Sequence, residues 1–222
     1  MLLAATIVVN VVAIGSNLSE ISAINGFLDG SNPDPGALSS SDDRQALVAL
    51  CKFIAFLATG FTFIRWFHAA YRNVTALAPA EVRFKPGWAI GAWFVPILCI
   101  WRPKQIADDI WRVSDLQPRL AAERVSRIGK TTTVLALWWT LWIIGAFLGN
   151  FSARLVFGND TLADIRNSDK LEIAALCIDI AAAMFAILVV QRITTRLAGT
   201  RAPPANAELQ PPDQDTREVV AP

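Results

Sequence analysis

Four long apolar runs constrain the fold of this chain more than any other feature of its sequence. They lie at residues 2–27, 46–67, 133–157 and 171–190. Each is long enough to cross about 30 Å of hydrocarbon as a helix that rises about 1.5 Å per residue. Lipid offers no partner to open backbone groups, so each run is expected to be an α-helix. The sequence therefore predicts an all-α, polytopic integral membrane protein with four transmembrane helices.

The distribution of charge predicts the orientation of these helices. Residues 65–130 hold 11 basic and five acidic side chains, a local net charge of +6, whereas residues 25–45 hold four aspartates and one basic residue, Arg44. Cytoplasmic segments of membrane proteins are enriched in Lys and Arg. We therefore expect residues 65–130 and both termini in the cytoplasm, with two external loops near 28–45 and 158–170. The apolar flanks favour this explanation of the basic region over nucleic-acid binding.

A fifth apolar run, residues 88–101, is harder to place. Its 14 residues would reach only about 20 Å as a helix, and Pro96 interrupts it. Crossing the membrane here would also export the basic residues that follow. We therefore predict that 86–117 is a re-entrant or interfacial segment on the cytoplasmic face, with Trp88, Trp93 and Trp101 at the level of the lipid headgroups. The alternative is a fifth helix buried among the other four.

The residues after this run carry a helical pattern. Ile106, Ile110, Val113 and Leu116 recur at spacings of four, three and three residues and form one apolar stripe. The pattern predicts an amphipathic helix that lies on the inner leaflet, with Trp111 as an interfacial anchor. A groove for a protein partner is the alternative use of such a stripe.

The stretch FIRWFHAAYRNVTAL, followed by FKPGWAIGAWFVPILCIWRPKQIADDIWRVSD, carries a family resemblance. It contains F-x-x-W, R-N, P-G-W-A, W-F-x-P, W-R-P and W-R-x-S in that order. This pattern resembles the bacterial membrane family catalogued as domain of unknown function 4328. The resemblance implies four spans in a bacterial membrane and brings no established activity. Lys104 and Asp109 depart from the residues usual in the family, which weakens any binding role inferred for those two positions.

Basic and aromatic residues of this motif form a candidate surface for lipid headgroups or a ligand. A guanidinium at the phosphate level can pair bidentately with headgroups. A specific ligand pocket built from Arg72, Asn73 and Arg102 is the sharper alternative. The surface as a whole comprises Arg72, Asn73, Trp88, Trp93, Trp101, Arg102, Trp111 and Arg112.

Two ionisable residues of opposite charge are embedded in the second and fourth apolar runs. Lys52 is in the second run and Asp179 in the fourth, at similar distances from the predicted outer ends. Unpaired charges inside a bilayer are costly, and a mutual pair lessens that cost. We predict an intramembrane ion pair between Lys52 and Asp179. It either specifies packing alone or takes part in a proton or ion relay; two separate hydrated or snorkelling charges are the remaining alternative.

The sequence offers little support for catalysis. It has one histidine, His68, and no catalytic or nucleotide-binding motif, and the three cysteines have no metal-ligand spacing. We therefore expect no enzyme, no catalytic residue, no metal and no cofactor. Gly145 and Gly149 form a G-x-x-x-G pattern that favours helix packing, either within one chain or between two copies.

The expected role is an interaction, regulatory or scaffold component of the bacterial plasma (inner) membrane. The alternative is a small-solute or ion transporter or channel that uses intramembrane polar residues. Membrane lipids, and a protein partner or a second copy of the chain, are the expected partners, with no nucleic acid. Residues 1–199 are predicted to form a single membrane domain. Residues 200–222 hold five prolines among polar residues and are predicted to form a disordered cytoplasmic tail.

Overall fold

The computed structural model describes residues 1–31, 35–116, 128–158 and 161–199. No β-strand occurs in these ranges, so the predicted all-α class is confirmed. The predicted tail at 200–222 and the last residue of the predicted interfacial segment, at 117, lie outside the described residues. The α-helices are α1 (Leu2–Leu28), α2 (Pro35–Leu77), α3 (Trp88–Gly91), α4 (Arg102–Leu116), α5 (Ile128–Gly158) and α6 (Leu162–Gly199).

Four of these helices are long and apolar enough to cross a membrane, as predicted. Each of the four apolar runs falls within one helix, in the order α1, α2, α5 and α6. The apolar spans within them are Leu2–Leu28, Ser39–Leu77, Thr133–Arg154 and Leu162–Ala198.

Two helices begin well before the runs that predict them. α2 has 43 residues and α6 has 38, and at 1.5 Å per residue they measure roughly 57 to 65 Å. α2 starts with Pro35, whose fixed φ suits a first helical turn. At the start of α6, the Thr161 hydroxyl accepts the backbone N–H of Asp164 at 3.2 Å, which is a helix cap. The loops expected at 28–45 and 158–170 are therefore largely helical.

The helices form a bundle in which α6 lies against both α5 and α1, and α1 packs on α2. α3 and α4 contact the C-terminal half of α2, and α4 also contacts α5 and α6. The largest cluster of buried apolar side chains lies at this end of the bundle. It includes Phe67, Tyr71, Val74, Ile106, Ile110, Leu135, Val189 and Ile193.

The apolar run at 88–101 does not form a continuous helix. It contains the four residues of α3 and a single 3₁₀ turn at Leu98–Ile100, and Pro96 lies between them. Pro96 has no N–H to donate to a helical hydrogen bond. The alternative of a fifth long helix is therefore not the conformation that this segment adopts.

The apolar stripe of α4 packs on the bundle, which differs from the predicted contact with the inner leaflet. Ile106 and Ile110 are 0% exposed and Val113 is 1% exposed. Trp111, predicted to anchor the helix at the membrane surface, is 6% exposed. The ends of α2, α5 and α6 supply apolar partners for this stripe. An apolar stripe thus indicates which side of α4 is buried, but not whether lipid or protein covers it.

Candidate functional site

A buried carboxylate fastens the chain after α2 to α4. Asp109 is 0% exposed. Its Oδ1 accepts hydrogen bonds from Arg83 Nε at 2.8 Å and Arg112 Nη2 at 3.1 Å, and its Oδ2 accepts the backbone N–H of Arg83 at 3.1 Å. Arg112 also donates to the carbonyl of Glu81 at 2.5 Å. Arg112, predicted as part of a headgroup surface, therefore has an intramolecular structural role, although its side chain is 49% exposed.

The same stretch of chain is fastened to α2 by a second set of hydrogen bonds. Tyr71, at 0% exposure, donates its hydroxyl to the Phe84 carbonyl at 3.1 Å and accepts the Phe84 backbone N–H at 3.0 Å. His68 Nδ1 lies 3.1 Å from the Pro86 carbonyl oxygen. These hydrogen bonds hold three parts of the motif together as one unit: the end of α2, residues 81–86 and α4.

Arg102 lies between two aromatic rings. Its guanidinium carbon is 4.6 Å from the ring centroid of Phe84 and 4.5 Å from that of Trp88, which is cation–π geometry. Arg72 is exposed on α2 and Asn73 is half-buried. Within the described residues, no hydrogen bond joins Arg102 to either of them. The structure therefore gives Arg102 a packing role, and the three-residue pocket stays a prediction.

Trp93 lies inside an aromatic cluster between α2 and α5. Its ring centroid is 5.8 Å from those of Phe63 and Phe67, 6.0 Å from that of Trp139 and 5.7 Å from that of Trp142, all edge to face. This is the favourable geometry for aromatic pairs. Trp93 thus joins α2 to α5, and its place at the headgroup level stays a prediction.

The other predicted tryptophan anchors divide into two kinds. Trp111 is buried beneath Arg196, whose guanidinium carbon is 4.4 Å from its ring centroid. Trp88 is half-buried against Arg102. Trp101, by contrast, is 43% exposed. Trp101 alone among these three keeps the exposure that an interfacial anchor requires.

An exposed apolar surface, which we name the 94–101 ridge, follows α3. Its members are Phe94, Val95, Ile97, Ile100 and Trp101, from 38% to 71% exposed. At its centre Ile97 has φ +71° and ψ −53°, and the Leu98 N–H donates to the Pro96 carbonyl at 2.8 Å. This is the rarer γ-turn, with positive φ, which is strained for a β-branched residue.

Lys52 pairs with a different acid from the one predicted. Its ammonium donates to Glu172, which precedes Asp179 by seven residues, or two turns, on α6. Lys52 and Asp179 each lie 17 residues after the first residue of their helix, so equal spacing did not identify the partner of Lys52. Lys52 bonds instead nearer the start of α6, at its more polar end. In the described residues, no ion pair or hydrogen bond holds Asp179.

Asp179 lies instead against a glycine of α5. A Cβ added at Gly145 would collide with the Asp179 carboxylate, whereas one added at Gly149 would meet no atom within 4 Å. The two glycines of the G-x-x-x-G pattern therefore differ. Gly145 makes room for α6 within the chain, and Gly149 faces open space.

A half-open cavity of about 230 Å³, which we name the chamber, lies between α1, α2 and α6, at the opposite end of the bundle from α4. Gln45 donates to Asn17 Oδ1 at 3.0 Å and to Glu20, and the Lys52–Glu172 pair forms part of the wall. Its lining residues are Asn17, Glu20, Gln45, Val48, Ala49, Lys52, Ile165, Asp169 and Glu172.

Asp169 and Gln45 were not predicted as site residues, because they fall in the two segments assigned to external loops, 158–170 and 28–45. The spacing of three residues of α6 indicates that they share one face of a helix. Ile165, Asp169 and Glu172 recur at four and three residues, which places them on one face of a helix. Thr161 as a helix cap predicts that α6 begins at residue 162, early enough to include this face.

The family model described as Domain of unknown function (DUF4328) matches residues 29–195. The match covers most of the chain and confirms the resemblance predicted from the motif, so the chain belongs to this family. No curated protein and no solved structure matches the chain.

Proposed function

We propose that this DUF4328 protein is a four-pass protein of the bacterial plasma (inner) membrane, without catalytic activity, that acts through interaction as a regulatory or scaffold component. In this proposal both termini face the cytoplasm, together with the segment between α2 and α5. The 94–101 ridge carries the proposal, because it combines exposed apolar side chains with a strained and firmly anchored backbone.

Contacts between helix ends support this orientation. Trp66 near the end of α2 donates to the Thr194 hydroxyl near the end of α6 at 3.2 Å, and Arg196 of α6 covers Trp111 of α4. The basic stretches that follow the second and fourth apolar runs therefore meet on one side. The positive-inside rule assigns such a side to the cytoplasm.

The backbone conformation of the ridge favours binding of a protein over simple contact with lipid. Lipid tails need only apolar side chains, which an unstrained helix would also present. The strain at Ile97 is on the order of 1–3 kcal/mol, and the surrounding contacts must hold it. One of them is the Trp139 Nε1–H, which donates to the Ile100 carbonyl at 3.0 Å. A rigid apolar surface loses little entropy on binding and suits a helix of another membrane protein or of a second copy.

Quantitative mass spectrometry of the protein isolated in native-lipid particles tests this proposal. Phe94 on the ridge is 71% exposed and Phe56 on α2 is 67% exposed, so Phe94→Ala and Phe56→Ala remove equally exposed rings. We expect a specific protein partner, or a second tagged copy, to be lost with Phe94→Ala and kept with Phe56→Ala. Equal recovery with both variants would contradict a role for the ridge.

The chamber favours transport of a small solute or ion as a second candidate function. Several ionisable side chains around one chamber inside a membrane protein are typical of substrate pathways. Flux into vesicles containing the purified protein, driven by a solute gradient, separates the two candidates. The transport candidate requires that Asp169→Asn, in the chamber wall, abolish flux while the protein remains folded; absence of flux in the unsubstituted protein would exclude transport of the solutes tested.

A further inference from the structure

Two buried polar atoms, both in residues that line the chamber, have no hydrogen-bond partner within the described residues. Asp169 Oδ2 and Asn17 Nδ2 make no hydrogen bond within the described residues, and these residues are 7% and 2% exposed. Both residues line the chamber. Buried polar groups in proteins are almost always hydrogen-bonded, and leaving one unbonded is costly. These two lining side chains therefore have unused hydrogen-bonding capacity, one as an acceptor and one as a donor, that a molecule bound in the chamber would satisfy.

The charge of the chamber selects the kind of molecule. Its walls hold the three acids Glu20, Asp169 and Glu172 and one base, Lys52. Because Lys52 bonds to Glu172, Asp169 is left without a cation in the described residues. Glu20 accepts a hydrogen bond from the side-chain amide of Gln45, which carries no charge.

The nearby arginines have other partners. Arg44 Nε donates to Ser16 at 3.2 Å and its Nη2 to Ser41 at 2.8 Å, and Arg166 donates to Asn25 at 3.0 Å. Neither arginine lines the chamber. The excess of carboxylates therefore favours a cation as the occupant.

The size of the chamber excludes a close fit to a bare ion. Its volume of about 230 Å³ equals roughly eight waters at about 30 Å³ each. Within the described residues, no group of three His, Cys, Asp or Glu side chains is arranged to hold a metal ion. A small organic molecule fits these two facts better than a metal does.

We propose that the chamber binds a small organic cation, a primary ammonium that also carries a hydroxyl or other hydrogen-bond acceptor. Asp169 receives the ammonium, and the Asn17 side-chain amide donates to the acceptor. The inference concerns binding alone and holds whether or not the ligand crosses the membrane. It can fail independently of the ridge proposal, since ridge and chamber lie at opposite ends of the bundle.

Calorimetric titration of the full chain in lipid nanodiscs tests this site, with ethanolamine as the probe. We expect saturable binding in the millimolar range, as suits so small a ligand. Ethylene glycol, in which a hydroxyl replaces the ammonium, should not bind. Asp169→Asn should weaken ethanolamine binding by roughly tenfold or more, whereas Asp43→Asn, which neutralises an exposed acid of α2, should leave it unchanged.

A second variant keeps the test valid if Asp169→Asn does not fold. Val48→Phe places a larger side chain in the chamber wall without changing any charge, and it should also abolish binding. Helix content and elution as a single species in the absence of ligand show whether each variant has folded. No binding of ethanolamine to the unsubstituted protein, equal binding of ethylene glycol, or full binding by both Asp169→Asn and Val48→Phe would overturn the proposal.

Discussion

Gly145 of α5 packs directly against the carboxylate of Asp179 of α6, with no space for a side chain between them. A Cβ at position 145 would lie 3.1 Å from Asp179 Cγ and closer still to the carboxylate oxygen, and 3.6 Å from Ile178 Cγ2. Small residues allow two membrane helices to approach closely. The close approach of α5 and α6 at this level therefore depends on glycine.

Gly145→Ala should destabilise the protein by about 1–3 kcal/mol, the usual cost of overpacking. Gly149→Ala is the matched control, because that position faces open space and alanine is the better helix former. The thermal unfolding midpoint in mild detergent measures both. Adding Asp179→Ala should remove most of the cost of Gly145→Ala. Equal midpoints for the two glycine variants would contradict the contact.

Charge exchange should distinguish the partner of Lys52. The Lys52→Glu/Glu172→Lys double variant should recover stability lost in each single variant, with a coupling on the order of 0.5–3 kcal/mol for residues in contact. The Lys52→Asp/Asp179→Lys double variant should show little recovery, because Lys52 bonds to Glu172. Folded yield and unfolding midpoint are the readouts. The opposite ranking of the two exchanges would restore the pair predicted from sequence.

Asp109→Asn should loosen the segment between α2 and α4. It weakens the acceptor shared by Arg83 and Arg112, at a cost of about 1–3 kcal/mol. Asp108→Asn is the control on the neighbouring residue, since Asp108 is 30% exposed and pairs within the helix with Lys104, a kind of pair that contributes about 0.3–0.5 kcal/mol. Limited proteolysis in detergent should cleave residues 78–101 faster in Asp109→Asn only. Equal cleavage of both variants would argue against this role of Asp109.

Arg102→Lys should destabilise the protein although it conserves charge. The planar guanidinium stacks on Phe84 and Trp88, and lysine cannot reproduce this stacking on two faces. We expect a loss of about 1 kcal/mol in the free energy of unfolding and no change in binding to vesicles that contain anionic lipid. If Arg102→Lys keeps full stability and Arg102→Met loses vesicle binding, headgroup pairing is the main role of Arg102.

Apolar run length was sufficient to predict α1, α2, α5 and α6, because only hydrocarbon-length helices satisfy their backbone inside a bilayer. The surroundings of individual side chains were not predictable in this way. Ile106 and Trp93 are apolar or aromatic, which suits lipid, the membrane interface and a protein core equally well. The choice among these depends on long-range packing with α2 and α5, which local periodicity does not contain.

The contacts between polar residues could not be predicted from the sequence for a different reason. Counting residues along the helices does not identify the partner of Lys52, because Lys52 and Asp179 both lie 17 residues into their helices, whereas the acid that bonds is Glu172. Hydropathy also places the end of an apolar run, not the end of a helix. Both helices continue beyond their apolar parts into polar turns, where Gln45 and Asp169 lie. Capping signals such as Thr161 carry the missing information.

Photo-cross-linking in living cells tests most directly whether the 94–101 ridge binds a protein. A photoreactive amino acid replaces Ile97, and in a second strain it replaces Phe56. We expect a discrete protein adduct from position 97 and none from position 56, although both side chains are highly exposed. Adducts with lipid alone from both positions would contradict it and leave the ridge as a surface for lipid.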